Sequence, residues 1–200
     1  MKKSLLVLIG VFVFLGLIVL IGFLTSISTY NKMVQYDEAV TTSWALVETD
    51  YQRRADLIPN LVNTVKGYAD FEQETLTQVI EARSKATSVN ITADNLNEQT
   101  MAQFQQAQDG LSSALSRLLV VVEKYPDLKA NQNFLELQAQ LEGTENRIAN
   151  ARMKFNESTR TYNVYIRRFP ARFFASIYGF EQKPYFKAVE GAEKAPEVKF

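Results

Sequence analysis

The chain opens on an unbroken apolar run, Leu5 to Leu24, twenty residues with no charge, amide or hydroxyl among them. As a helix rising about 1.5 Å per residue, the run is roughly 30 Å long, the hydrocarbon thickness of a bilayer. From residue 30 onward the pattern changes. Apolar positions recur at steps of three and four, the period of an amphipathic helix. The longest stripe is Phe134, Leu137, Leu141, Thr144, Ile148, Ala151, Phe155, Ser158, Tyr162, Tyr165 and Phe169. A second runs Phe104, Ala107, Leu111, Ala114, Leu118, Val121, Tyr125, and a third Leu61, Val65, Tyr68, Leu76, Val79, Ala82, Ala86. The first after the apolar run is Tyr30, Met33, Asp37, Val40, Trp44, Val47, Tyr51. No segment shows the period-two alternation of a half-buried strand.

The breaks between stripes carry their own signals. Thr87 to Thr100 is polar and rich in Asn and Thr, and reads as a loop ending in capping residues. Tyr125-Pro126 and Phe169-Pro170 end helices, because a residue before proline avoids the α region. Asn131 reads as an N-cap. Pro59 allows two readings. The phase Tyr51, Arg54, Ile58, Leu61, Val65 runs straight through it, as in one kinked helix. A tight turn with Asp56 as cap and Pro59 in a new first turn fits as well. The turn is favoured, because it yields four helices of similar length, 30–57, 58–87, 98–124 and 131–168. The fold expected is all-α: an N-terminal transmembrane helix and an antiparallel up-and-down four-helix bundle. Its parts are a short N-terminal segment (1–4), the transmembrane helix (5–25), the bundle (29–169), an aromatic and arginine segment (170–187) and a flexible tail (188–200). Gly67 falls inside a helix on this reading, at a cost of about 1 kcal/mol relative to Ala, and is assigned to close helix packing.

Composition then removes chemistry. The chain has no Cys and no His. Disulfides, thiolate sites, Ser-His-Asp triads and most zinc and iron sites are thereby excluded. No catalytic, cofactor or metal residue is assigned. Glu72, Glu74 and Glu81 read as a solvated face, since bundle di-metal sites also need histidines. Setting aside Lys2 and Lys3 leaves 20 basic against 22 acidic residues, which argues against a nucleic-acid partner. Lys2 and Lys3 precede the apolar run and only Lys32 follows closely, so the positive-inside bias keeps the N-terminus cytoplasmic and sends the bundle across. A cleaved signal peptide is the weaker reading. The run exceeds an ordinary signal core, and Ser26-Ile27-Ser28 is a poor cleavage site.

Two constellations are candidates for interaction. Arg53, Arg54 and Asp56 beside Pro59 form either a partner-binding patch at the membrane-distal tip or, more often in such settings, local pairs and a cap. Tyr165 to Phe180 holds Arg167, Arg168 and Arg172 among six aromatics, including Phe173 and Phe174. It reads as a cover for the open end of the bundle, as a membrane-surface segment, or as a subunit interface.

Residues 30 to 187 resemble the LemA family of bacterial membrane proteins. The resemblance rests on Gln52 to Val62 (QRRADLIPNLV), Val65 to Tyr68, Glu81 to Ser84, and Tyr125 to Ala130 with Phe134 and Leu137. It continues in Glu145 to Asn156, Phe169-Pro170, Gly179-Phe180 and Tyr185-Phe186. It implies a short N-terminal anchor, an antiparallel helical bundle and no known enzymatic activity, and so supports the turn at Pro59. The function expected is a non-enzymatic, self-assembling scaffold in the bacterial inner membrane. Its partners would be the lipid bilayer, further copies of itself and a membrane protein, with no small-molecule substrate. The competing reading is an accessory subunit of a membrane protease or envelope-stress system.

Overall fold

A computed structural model describes residues 2–67, 72–89 and 91–187, with side chains from residue 9 onward except that of Asp94. Tyr68 and the tail 188–200 lie outside the described residues. Among those described there is no strand. The helices are α1 (Lys2–Lys66), α2 (Gln73–Ser88), α3 (Glu98–Val122), the single turn α4 (Pro126–Lys129), α5 (Gln132–Arg167) and α6 (Ala171–Tyr178). A 3-10 turn at Ala93–Asn95 lies between α2 and α3.

The expected turn at Pro59 is not there. Helix α1 runs through it and ends only at Lys66. A proline inside a helix cannot donate to the carbonyl four residues back, which is that of Ala55. The structure supplies a substitute: Arg83 of α2 donates its Nε–H to the Ala55 carbonyl at 2.8 Å. The freed acceptor is satisfied from the side, and the apolar phase carries α1 onward through Ile58, Leu61, Val62 and Val65, all buried. Gly67 is accordingly not inside a helix but just past the end of one. A Cβ placed on it would meet the Thr64 carbonyl oxygen at 3.4 Å, an ordinary contact, so close packing is not its role. Asp56, in mid-helix, caps nothing and instead accepts from the Gln52 side-chain amide at 2.8 Å.

Replacing Pro59 by alanine should therefore raise stability, by about 1–2 kcal/mol, since a backbone bond returns while some unfolded-state stiffness is lost. In that background Arg83→Met should cost less than in the parent, because the Ala55 carbonyl keeps a donor. Urea unfolding of the four chains of this cycle reads the coupling, and additive effects would show that Arg83 does not serve the proline.

The remaining boundaries fall close to the sequence signals. Asn97 caps α3, its side chain accepting from the N–H groups of Gln99 and Thr100 at 3.0 Å each, while Thr100 returns a bond to the Asn97 N–H. Asn131 accepts from the Phe134 N–H at 3.1 Å at the start of α5. Gly179 closes α6 in the left-handed conformation, φ 76°, where a Cβ would be strained.

The chain divides into two units, and α1 and α5 each contribute to both. The larger comprises Thr41–Thr159 with Lys183 onward, and within it the helices form the expected bundle. Helices α1 and α5 are antiparallel: Trp44 meets Phe155, Asp50 meets Arg147 and Arg54 meets Glu145. Between α2 and α3 the same fall in number is seen from Glu72 with Lys124 to Ala86 with Gln108. Helices α1 and α3 run parallel, as Trp44 with Phe104 and Arg54 with Ser112 require. This is an up-down-up-down arrangement with α1 and α3 on one diagonal. The smaller unit is Met1–Val40 with Arg160–Gln182, and holds the apolar run, the end of α5 and all of α6.

Candidate interaction surfaces

Among the described residues, one charged side chain, that of Arg54, is buried in the bundle interior. Arg54 lies in the apolar phase of α1 and is 1 % exposed. Its Nη1 donates to the Ser112 hydroxyl at 2.8 Å and to Glu145 Oε1 at 2.7 Å. Its Nη2 donates to Gln108 Oε1 at 2.6 Å. Gln108 in turn donates through Nε2 to the Ala86 carbonyl at 3.2 Å. The guanidinium also lies 5.0 Å from the ring centre of Tyr51. One side chain of α1 thus reaches α3 and α5 directly and α2 through Gln108. The fork of a guanidinium suits this, and the compact ammonium of lysine would not reach all three acceptors. Arg53, by contrast, is exposed, as is Asp56. The sequence trio is split by the helix turn, with one member in the core and two outside.

Above this level sits an aromatic core that the sequence does not announce. Trp44 is 1 % exposed, and its ring centre lies 5.4 Å from that of Phe104, 5.5 Å from Phe155 and 6.0 Å from Phe186. Its indole N–H donates to the Ile91 carbonyl at 3.2 Å. Phe186 belongs to an extended segment without secondary structure, yet it is buried. Two side-chain amides grip its backbone. Asn156 accepts from the Phe186 N–H at 2.9 Å and donates to its carbonyl at 3.1 Å. Gln105 makes the same pair of bonds with Lys187, at 3.3 and 3.0 Å. Arg152 adds a bond to the Lys187 carbonyl at 3.2 Å and lies over the Phe186 ring at 4.7 Å. Partners some thirty and eighty residues apart leave no periodic trace, so only the aromatic character of Tyr185-Phe186 could have marked this segment.

The arginine and aromatic segment lies in the smaller unit. Arg167, Arg168 and Arg172 are exposed, Phe173 is exposed and Phe174 is half-buried. Helix α6 turns Ala171 and Ala175 inward. Upstream, Tyr162 is buried and donates its hydroxyl to the Glu181 carbonyl at 2.9 Å. Burial, and then the charges of Asp37 and Glu181, push its phenol well above the usual value of 10.0. Tyr51 of the larger unit is raised as well, chiefly by burial, against the lowering effect of Arg152 and Arg54. A phenol held neutral in the fold contributes stability below the unfolded pKa and loses it as pH rises toward the folded one. The urea midpoint should therefore fall above about pH 10, and Tyr162→Phe, which cannot ionise, should make the fall shallower. A midpoint with the same alkaline slope in the variant would exclude Tyr162 as a cause.

Among the described residues, no group of three or more acidic side chains is placed to hold a metal ion. Glu72, Glu74 and Glu81 are exposed, and Glu72 faces Lys124 at 3.3 Å. The LemA family profile matches residues 43–200, from the aromatic level of α1 to the last residue. The chain belongs to the LemA family. It is similar to the magnetosome protein MamQ of Magnetospirillum gryphiswaldense, 29 % identical over 174 residues, 78 % of this chain and 64 % of that protein. Magnetosome protein MamQ 2 of Paramagnetospirillum magneticum is 27 % identical over 79 % of the chain and 64 % of its own length. Protein LemA of Metamycoplasma hominis is 22 % identical over 70 % of the chain and 60 % of its own length. The chain thus spans a little under two thirds of these relatives. The match takes in Arg54, Trp44 and Phe186, so this LemA-family chain carries its buried polar level and aromatic core inside the family's own region.

Proposed function

We propose that the chain is a non-enzymatic scaffold, anchored in a bacterial inner membrane by the apolar part of α1 and assembling with further copies of itself. One observation carries this reading. The buried guanidinium, with its amide and hydroxyl partners, is used in tying helix to helix, so the polar chemistry of the interior is structural. Support comes from α1, whose apolar stretch is long enough to cross a bilayer and, among its described side chains from Ile9 onward, has an 18-residue window with none buried by the rest of the protein. Membership of the LemA family agrees with a membrane-associated role. Lys2 and Lys3 on one side of the run against Lys32 on the other favour a cytoplasmic N-terminus, with the bundle on the opposite face. On this reading residues 5–25 are the membrane part, 29–169 the bundle and 170–187 a second attachment or interface, with Arg53 and Asp56 free to meet a partner. Light scattering of the full chain in mild detergent tests the assembly. Particles of several copies are expected, and a monomer at micromolar concentration overturns self-assembly. Recovery of a stoichiometric enzyme partner would instead make the chain an accessory subunit.

A further inference from the structure

Within the smaller unit, α6 packs against α1 just beyond the apolar run. The hydroxyls of Ser26 and Tyr178 are 2.6 Å apart. The ring of Tyr30 meets those of Tyr178 and Phe180 edge-on, at 5.0 and 5.8 Å between centres. The run ends at Leu24, so these contacts lie about 3 to 9 Å further along the helix axis at 1.5 Å per residue. The headgroup layer of a leaflet extends over about that distance beyond the hydrocarbon.

Helix α6 is built for such a layer. With Ala171 and Ala175 turned inward, Phe173 and Ile177 form an outward stripe at i and i+4, 63 % and 60 % exposed. Phe169 just before it is 90 % exposed. Large apolar groups standing together in this way mark a surface that something covers. Beside them are Arg167, Arg168 and Arg172, and no acidic residue occurs between Glu157 and Glu181. A second copy presenting the same face would set arginines against arginines. Lipid phosphate has the complementary sign, and acyl chain ends suit the stripe.

We propose that α6 is an in-plane helix of the leaflet from which α1 emerges, with Phe169, Phe173 and Ile177 among the upper acyl chains and Arg167, Arg168 and Arg172 on anionic headgroup phosphates. This rests on α1 spanning the bilayer. The chain then grips one membrane twice, by a helix through it and a helix lying on it.

The absence of cysteine makes the test direct. Single substitutions Phe173→Cys, Ile177→Cys and Phe14→Cys, all at exposed positions, are labelled with a fluorophore. The full chain is reconstituted in phosphatidylcholine vesicles containing phosphatidylglycerol. Brominated acyl chains should quench all three labels, and those at 173 and 177 should be several-fold less open to aqueous iodide than free dye. Quenching by bromine at 14 but not at 173 and 177 overturns the proposal while the anchor stands. No quenching at 14 overturns the anchor and the proposal with it. Shielding at 173 and 177 that vanishes when the protein is diluted into excess lipid assigns the face to a second copy, against the proposal. Quenching unchanged in vesicles of phosphatidylcholine alone overturns the arginine–phosphate part. An Arg167→Gln, Arg168→Gln, Arg172→Gln chain should reproduce the loss expected without anionic lipid.

Discussion

Arg54→Ala should lower the stability of the bundle by about 3 kcal/mol, a shift of very roughly 10 °C in melting temperature for a domain of this size. The ion pair with Glu145 is not the main reason. The Glu145 side chain is 46 % exposed, so its charge is largely hydrated and screened, and its Coulomb share is small. The larger loss is at the dry end. Gln108 is buried, and without Arg54 its side-chain oxygen has no donor while the stem of the arginine leaves a cavity. Arg54→Met fills the cavity but not the hydrogen-bonding need, so it should cost less than alanine. Arg54→Met with Gln108→Leu removes both ends of the dry interaction and should recover most of the loss. Circular dichroism melts of the full chain in one detergent read this order. An alanine variant within about 1 kcal/mol of the parent would show that the network fixes geometry without holding the fold.

Trp44→Ala should cost still more, about 3–5 kcal/mol, because it empties the centre of the aromatic core and removes the donor to the Ile91 carbonyl. Trp44→Phe keeps much of the volume and should cost about half as much. The chain has one tryptophan, so its emission reports this site alone. Phe186→Ala should move that emission to longer wavelength, as water replaces the ring stacked 6.0 Å away. Asn156→Leu should do so in part, by loosening the backbone of residue 186 without touching the ring. Emission unchanged in both would mean that the segment does not close the core.

What could be read from the sequence was what repeats. The stripes of α3 and α5 are buried largely as their spacing required, Phe134, Leu141, Ile148, Ala151, Phe155 and Tyr162 among them. The caps Asn97 and Asn131 carry local chemistry that needs no fold to recognise. Pro59 was misjudged because proline's penalty is local while its remedy, Arg83, lies on another helix. The periodicity itself pointed the right way, since the phase ran through the proline without a break. Arg54 also stood in that phase, and an arginine at a core position was the available sign of a buried network. Its partners Gln108, Ser112 and Glu145 come from two other helices, and nothing in their spacing links them to residue 54. Phe186 was beyond reach for the same reason. It was placed in the aromatic and arginine segment 170–187, whereas its fixing residues lie within α3 and α5.

The grip on Phe186 also sets an order of events during synthesis. Trp44, Phe104 and Phe155 emerge from the ribosome well before residue 186, and until it follows them one wall of their core is missing. The apolar run Leu5 to Leu24 precedes all of them in the chain. A nascent chain that stops before residue 186 therefore leaves one wall of the aromatic core open to water, a gap that the last stretch of synthesis closes.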